Sequence, residues 1–194
     1  MSPLREQYFL WKVAAYGDPK AFRELYDTYH KAVYQFLAFR LARREDAEDL
    51  AAQVFVRVWE YVTAEENEVK NFRAFIYRIA RNLLTDFYRA KSNHENMTVS
   101  IDAAQETDTP LEIPDIRDLF EAQVLASDEE MLGRALLTLK DEYREVITLR
   151  FMGELSLKEI AHVMEKEPGT VAVLLHRAKE SLGKAVKAME KAGV

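Results

Sequence analysis

Hydrophobic residues recur every three or four positions along the first ninety residues, the spacing of one face of an α-helix. Asp18 and Pro19 predict a helix start, because aspartate suits the N-cap and proline the first helical position. This helix is expected to extend to about Ala42, and two more are predicted over residues 45–62 and 72–89. No segment shows the strict alternation of a β-strand, so the sequence predicts an all-α fold.

The last third of the chain predicts a helix-turn-helix preceded by two shorter helices. Ser156 and Glu159 form a capping box, in which each side chain accepts the other residue's backbone N–H, so a helix should begin directly after Ser156. Pro168 suits the first position of the second helix and leaves a turn of three or four residues. The two shorter helices are predicted over residues 128–139 and 142–152.

The second helix of a helix-turn-helix places the residues of its N-terminal half in the major groove of DNA. Those expected to face outward here are Thr170, Ala172, Val173, His176, Arg177 and Lys179. The apolar residues 172–174 leave three interpretations open: contact with thymine methyl groups, burial against a neighbouring helix, or a protein-binding patch. The motif as a whole indicates DNA binding.

The net charge of −6 is unusual for a DNA-binding protein, but the acidic residues are concentrated in one segment. Residues 1–91 carry 15 basic and 13 acidic groups, residues 92–130 carry 1 and 11, and residues 131–194 carry 11 and 9. Local patches rather than the total charge set nucleic-acid affinity. The pattern predicts two small helical domains, residues 1–91 and 128–194, joined by an acidic linker over residues 92–127.

Several classes of protein are excluded by what the sequence lacks. There is no cysteine for a disulfide or a thiolate metal site, no apolar run long enough to insert into a membrane, and no secretory signal at the start. A cytoplasmic protein is therefore expected.

Motifs for catalysis are also missing. The sequence contains no glycine-rich phosphate loop and no serine elbow, so we expect no enzyme activity, catalytic residue, cofactor or small-molecule substrate. Glu159 and His162 match half of a di-metal site in a helical bundle, and Asp27 and His30 are a poorer second copy. The further inward carboxylates of such a site are missing, so no metal is expected.

Four segments, in this order, resemble the extracytoplasmic-function sigma factors, the small two-domain members of the sigma-70 superfamily of bacterial transcription initiation factors. They read DPKAFRELYDTYHKAVYQFL, REDAEDLAAQVFVRVWEYV, FRAFIYRIARNLLTDFYR and LKDEYREVITLRFMGELSLKEIAHVMEKEPGTVAVLLHRAKESL. The resemblance implies a first domain like region 2, which docks on the clamp helices of core RNA polymerase and opens the −10 element. It implies a second domain like region 4, which binds the −35 element and the polymerase flap. An anti-sigma factor is left open as a further partner.

The resemblance also implies roles for individual residues. The core-polymerase contact would lie on or in front of Asp49, Leu50, Gln53, Phe55, Arg57 and Trp59. The single-stranded −10 DNA would meet the loop over residues 62–71 and the side chains of Arg78, Arg81, Asn82, Asp86 and Arg89. These residue types suit the task, because arginines hold phosphates, asparagine pairs with an adenine edge, and exposed aromatics such as Tyr77 or Tyr88 could stack on bases.

Some positions depart from the family's pattern. Ala52 and Gln53 stand where the family usually has Gln and Glu, residues 172–174 replace Lys, Ser and Arg, and Glu165 occupies a turn position that usually holds glycine. These departures keep a rival interpretation open: a stand-alone helix-turn-helix regulator, or a degenerate sigma-like module that binds proteins. Its first domain would then serve dimerisation or sensing.

Overall fold

The computed structural model describes residues 1–64, 69–98 and 127–192, and within these ranges the chain forms eight α-helices and no strand. They are α1 Pro3–Tyr16, α2 Pro19–Ala38, α3 Arg44–Thr63, α4 Phe72–Thr98, α5 Ser127–Leu137, α6 Asp141–Phe151, α7 Leu157–Met164 and α8 Pro168–Ala192. The predicted all-α fold is confirmed. We call α1–α4 the N-lobe and α5–α8 the C-lobe.

The N-lobe is built around α2, which packs against α1 and α3, while α3 also packs against α4. Asp18 Oδ1 accepts the backbone N–H groups of Lys20 and Ala21 at 2.9 and 3.3 Å, which confirms the predicted start of α2. The predicted end is wrong, because α2 stops at Ala38. Leu41 is nevertheless buried, so the apolar pattern continues into the loop and suggested a longer helix.

Two N-lobe helices differ in extent from the sequence analysis. α1 had not been singled out; it ends at Gly17, whose φ of +56° lies in the left-handed region that favours glycine. α4 begins after Asn71, whose side-chain oxygen accepts the N–H of Ala74 at 3.0 Å as expected of a cap. It then continues to Thr98, past the predicted end at residue 89 and into the predicted linker. The rest of that linker, residues 99–126, lies outside the described residues.

The C-lobe contains the predicted helix-turn-helix as α7 and α8. The capping box is present, with Ser156 N donating to Glu159 Oε2 at 2.6 Å and Glu159 N to Ser156 Oγ at 3.3 Å. The turn over residues 165–167 is three residues long, and Glu165 has a φ of 55°, the left-handed conformation expected where glycine is usual. α6, α7 and α5 all pack against α8, which therefore forms the spine of the lobe.

The two lobes are in direct contact, mainly where α4 lies against α7, and also between α2 and α6. This contact corrects the expectation for Tyr77, which is only 1% exposed and cannot stack on a base in this arrangement. Its ring packs on Phe36, with centroids 5.3 Å apart, and a Cβ added at Gly153 would lie 2.8 Å from Tyr77 Cε2. Tyr88 is partly exposed, as predicted. Within the described residues, no helix is long and apolar enough to cross a bilayer.

Candidate polymerase and nucleic-acid interfaces

The outer face of α3 carries three of the residues expected at a polymerase contact. These are Asp49, Gln53 and Arg57, which are exposed and follow one another at intervals of four residues on one side of the helix. The other three predicted residues lie behind this face. Leu50 and Phe55 are buried, and Trp59 is half-buried with its ring edge-on to Phe22, centroids 5.0 Å apart. The aromatic residues therefore support the face from the core.

Val56 belongs to the same outer face and was missed by the sequence analysis. It is 57% exposed, so most of its apolar surface is in contact with water. The signal was present in the sequence, because Val56 lies three residues after Gln53 and four before Glu60, both polar. Single exposed apolar side chains are common on protein surfaces, so Val56 adds apolar area to this face without defining a contact by itself.

The predicted −10 residues form a row along the outer side of α4. Arg78, Asn82, Asp86 and Arg89 are exposed, and Arg81 is partly buried. Arg89 Nη1 lies 3.2 Å from Asp86 Oδ1, so these two side chains neutralise each other in part. Of the loop over residues 62–71, residues 65–68 lie outside the described part of the chain.

A groove between α3 and α4 connects the α3 face with the α4 row. It has a volume of about 450 Å³. Arg57 and Asn82 both line the groove, and Tyr61 and Phe75, with ring centroids 4.6 Å apart, contribute aromatic surface to it. The two predicted sites of the N-lobe are therefore neighbours.

Several polar residues of the N-lobe contact the C-lobe, which the sequence had not indicated. Arg81 Nε lies 3.1 Å from Glu145 Oε1, and Arg40 Nη2 lies 3.2 Å from Glu145 Oε2. Further along the same contact, Arg73 Nη1 lies 2.9 Å from Glu154 Oε2. These pairs join residues more than sixty positions apart in the sequence, so no local pattern could reveal them.

Arg144 of α6 joins backbone segments of both lobes. Its guanidinium donates to the carbonyl oxygens of Leu136, Leu137 and Leu139 in the C-lobe at 3.2, 3.1 and 2.8 Å, and to that of Phe39 in the N-lobe at 2.7 Å. Burial lowers the pKa of this guanidinium, opposed by the nearby carboxylate of Asp141. A guanidinium has five N–H donors, so it can bind several carbonyl groups at once. Arg144 uses them on carbonyls at and after the end of α5 and on that of Phe39, directly after α2.

The carboxylate of Glu159 accepts hydrogen bonds from the Asn71 side chain and from the backbone N–H of Ser156. Burial raises the pKa of its carboxyl, but hydrogen bonds from the Asn71 side chain and from Ser156 outweigh that effect, so the pKa is lowered. His162, its partner in the half-motif, is exposed and has Nε2 3.5 Å from Arg78 Nη1. Among the described residues no group of three or more histidine, aspartate or glutamate side chains is arranged to hold a metal.

The outward face of α8 is as the sequence predicted. All six expected residues are exposed: Thr170, Ala172, Val173, His176, Arg177 and Lys179. Burial of Ala172 and Val173 against a neighbouring helix is therefore wrong, and Val173 is 53% exposed. Leu174, in contrast, is half-buried and packs against the core of the lobe. The face thus has a small apolar centre with basic side chains toward one end.

Comparison with known proteins agrees with this geometry. Residues 25–94 match the model of Sigma-70 region 2, and residues 129–182 match that of Sigma-70 region 4. The chain is similar to ECF RNA polymerase sigma factor SigW of Bacillus subtilis, with 31% identity over 173 residues that cover 88% of this chain and 91% of that protein. The chain belongs to the ECF RNA polymerase sigma factor family. It is also 31% identical to the ECF sigma factor BldN of Streptomyces coelicolor, of which the match covers 61%.

Solved structures show the same fold for this ECF sigma factor. CnrH in complex with the cytosolic domain of CnrY matches with a TM-score of 0.63 and 20% identity, covering 95% of this chain and 98% of that one. RpoE in complex with the anti-sigma factor NepR from Bartonella quintana matches with a TM-score of 0.64 and 21% identity, covering 87% and 98%. The two-lobed helical arrangement is therefore that of a sigma factor.

Proposed function

We propose that this sigma factor directs RNA polymerase to specific promoters. The N-lobe binds core polymerase through the outer face of α3 and the −10 strand through the row on α4, and the C-lobe binds the −35 element through α8 and the polymerase flap. The observation that carries most weight is the helix-turn-helix, whose capping box, three-residue turn and fully exposed α8 face suit insertion into a major groove. Family membership supports the rest.

The α3 face suits a protein partner better than DNA. Asp49 and Glu60 would repel phosphates, whereas Val56 among polar neighbours offers the apolar contact that protein interfaces use. Ala52 is exposed beside Gln53, so this face has fewer polar groups than the family usually places there. We assign the core-polymerase contact to Asp49, Gln53, Val56 and Arg57, with Leu50, Phe55 and Trp59 holding the helix in place.

The α4 row and the adjoining groove suit a single DNA strand. Arg78 and Arg89 can hold phosphates, and Asn82 at the mouth of the groove can pair with the edge of an unstacked adenine. Arg81 and Asp86 complete the proposed −10 site, with Arg81 available only when it leaves its partner in the C-lobe.

The α8 face suits a duplex with modest discrimination. Thr170, His176, Arg177 and Lys179 supply the polar contacts, while Ala172 and Val173 can contact thymine methyl groups. Each good bidentate contact discriminates by only about 1–3 kcal/mol, so few donors mean a tolerant −35 site.

Other partners follow from the same comparison. The likeness in fold to RpoE, which was solved with the anti-sigma factor NepR, supports an anti-sigma factor as a further partner of this chain. We assign no catalytic residue, cofactor or metal to the chain; RNA synthesis is the work of the polymerase it would recruit.

Charge reversal on α3 tests the proposal. Arg57→Glu should weaken binding to core RNA polymerase by at least tenfold while leaving the helical content unchanged, since exposed substitutions usually alter stability by under about 0.5 kcal/mol. Affinity is measured by fluorescence titration of labelled protein with core enzyme. Lys31→Glu, an exposed charge reversal on α2, is the matched control and should have no effect.

Transcription initiation is measured in a second experiment. Genomic fragments are transcribed by core polymerase with and without the protein, and the new RNA 5′ ends are mapped. Start sites that appear only with the protein and share two upstream elements support the proposal. No new start sites, together with tight sequence-specific duplex binding by the protein alone, would contradict it and favour the stand-alone regulator.

A further inference from the structure

The side of α1 that faces away from the core is a stripe of apolar residues. Leu4, Tyr8, Trp11 and Ala15 are exposed and follow one another at intervals of four, three and four positions, which places them on one side of the helix. We call these four residues the α1 stripe. The buried residues of α1 lie on the opposite side, and the helix packs against α2 and α3. A helix that is apolar on both sides is typical of one that is covered on both sides.

The α1 stripe and the adjoining Tyr16 expose a large apolar area. Leu4 is 81% exposed, Tyr8 53%, Trp11 54% and Tyr16 69%. The three rings form a connected set, because the centroid of the Trp11 ring lies 6.4 Å from that of Tyr8 and 5.3 Å from that of Tyr16. A buried aromatic side chain accounts for about 150–250 Å², so one copy of the chain offers on the order of 500 Å² of apolar surface here. A contiguous patch of this size marks a contact with another molecule.

The charged residues beside the α1 stripe are already paired within the chain. Arg5 Nη2 lies 3.0 Å from Glu24 Oε2, and Lys12 Nζ lies 2.8 Å from Asp18 Oδ2. The one acid of α1, Glu6, accepts a hydrogen bond from a side chain of α2. The phosphates of a nucleic acid or of an anionic membrane would have to compete with these pairs, whereas an apolar partner leaves them in place. The charges therefore favour a partner without phosphates.

The α1 stripe is complementary to itself when two copies meet antiparallel. About a two-fold axis midway between residues 9 and 10, Leu4 lies opposite Ala15 of the second copy, and Tyr8 lies opposite Trp11 of the second copy. A long aliphatic side chain is thus matched with a methyl group, and one ring with another. Each pair occurs twice, as in every isologous interface, where residue i contacts j and j contacts i. A parallel pair would instead oppose two alanines and leave a gap between them.

We propose that the α1 stripe is a self-association surface, through which two copies of this chain form an antiparallel pair with two-fold symmetry. The two stripes together bury about 1,000 Å², which is close to the lower limit for a specific interface. Exchange between monomer and dimer at micromolar concentrations is therefore expected. The inference does not depend on the proposed function, whose contacts lie on α3, α4 and α8.

Analytical ultracentrifugation of the full-length chain over a range of concentrations measures the association. The dimer fraction should rise with concentration. Leu4→Glu should weaken the association by about tenfold or more, since the symmetric pair would bury two unpaired carboxylates. Phe151→Glu is the matched control, because Phe151 on α6 is another exposed apolar residue, at 59%, and its substitution adds the same charge away from α1. The control should associate like the parent chain.

Single cysteines test the antiparallel arrangement. The chain contains no cysteine, so Leu4→Cys and Ala15→Cys are made as two separate proteins. In the antiparallel pair, a thiol at position 4 faces a thiol at position 15, whereas two thiols at the same position are about 16 Å apart along the helix, beyond the reach of a disulfide. An equal mixture of the two variants should therefore form disulfide-linked dimers under mild oxidation, and neither variant alone should. Crosslinking of each variant with itself would overturn the antiparallel arrangement.

Other occupants of the α1 stripe give different results. A chain that is monomeric at every concentration, or a dimer that Leu4→Glu leaves unchanged, would overturn the proposal. A monomeric parent chain whose binding to core polymerase, or to vesicles of phosphatidylcholine and phosphatidylglycerol, is lost in Leu4→Glu would assign the stripe to that partner instead. If Leu4→Glu loses helical content, Ala15→Glu takes its place, since Ala15 is exposed and lies opposite Leu4 in the pair.

Discussion

α4 and α8 both present side chains that we assign to promoter DNA, but the two helices are held very differently. The α4 row is rich in arginine, and its Arg81 is bound to Glu145 of the other lobe. The face of α8 has an apolar centre at Ala172 and Val173 and lies in solvent. The site with more arginines is therefore the one that the other lobe contacts.

The arginines of α4 matter because of how strongly free arginines attract phosphates. A free row of arginines would bind any nucleic acid, since phosphate contacts carry no sequence information and dominate affinity at low salt. In the structure, Arg81 and Arg73 are paired with carboxylates of the C-lobe, which offset part of the positive charge that phosphates would meet. The two proposed DNA surfaces therefore differ in that the arginines of α4 have partners in the other lobe, whereas the outward residues of α8 are exposed.

The largest effect is expected from removing Arg144. Arg144→Ala removes a donor from the carbonyls of Phe39, Leu136, Leu137 and Leu139, of which Leu136 keeps the N–H of Leu139; each buried group left unsatisfied costs about 1–3 kcal/mol. We expect a loss of about 3 kcal/mol or more in the free energy of unfolding, measured by urea denaturation followed by circular dichroism.

Two controls separate the parts of this effect. Arg144→Lys keeps the charge but not the fork, and should recover little stability. Arg177→Ala, an exposed residue of α8, should change stability by under about 0.5 kcal/mol. An Arg144→Ala protein as stable as the parent would mean that the carbonyls find other donors and that the contact between the lobes does not depend on Arg144.

The elements that the sequence predicted correctly are those with local causes. The capping box at Ser156, the proline at 168 and the left-handed Glu165 are set by residues within a few positions of one another. The exposed α8 face followed from them, because helical periodicity alone decides which side chains turn away from Val171 and Ala178 in the core.

The parts that could not be predicted depend on contacts between distant residues. Tyr77 lies on the polar side of α4 when that helix is considered alone, but it is buried between Phe36 of α2 and Gly153 of the C-lobe. The end of α2 at Ala38 is similar, since the following Phe39 offers its carbonyl to Arg144, 105 residues later. Periodicity distinguishes the core face from the outer face of a helix, but it does not reveal a second lobe on the outer face.

A smaller effect is expected when the face of α8 is made more like that of α4. Leu174 packs against the core, whereas Ala172 and Val173 are exposed, so Ala172→Lys with Val173→Arg places both new charges on the outward face. The holoenzyme should bind promoter DNA several-fold more tightly, and the slope of log K against log salt should steepen by up to about two. Filter binding over a range of salt concentrations measures both.

The matched control adds the same charge elsewhere on α8. Gly183→Arg with Ala188→Lys, two exposed positions beyond the proposed recognition half, should leave the salt slope nearly unchanged. If both pairs steepen the slope equally, the effect is one of total charge and the DNA face is not where we place it. If neither does, the N-terminal half of α8 meets a protein rather than DNA.

The smallest effect concerns the turn that sets the angle of α8. Glu165 has a φ of 55°, and its backbone N–H donates to the carbonyl of Ala161 as expected of a left-handed helix end. A residue with a Cβ is strained in this conformation by about 1 kcal/mol, and Glu165→Gly relieves the strain. Part of that gain is offset, because glycine also increases the conformational entropy of the unfolded chain by an equivalent of about 0.4–1 kcal/mol.

The net stabilisation from Glu165→Gly should therefore be at most about 0.5 kcal/mol, a rise of about 1–2 °C in the melting temperature for a chain of this length. Glu167→Gly is the control, since it lies in the same turn without a positive φ and has no strain to relieve; it should lower the melting temperature slightly. Equal shifts in both variants would show that flexibility of the turn, and not the strain at Glu165, determines its stability. Because the turn fixes only the angle between α7 and α8, neither variant should alter the contact that covers α4.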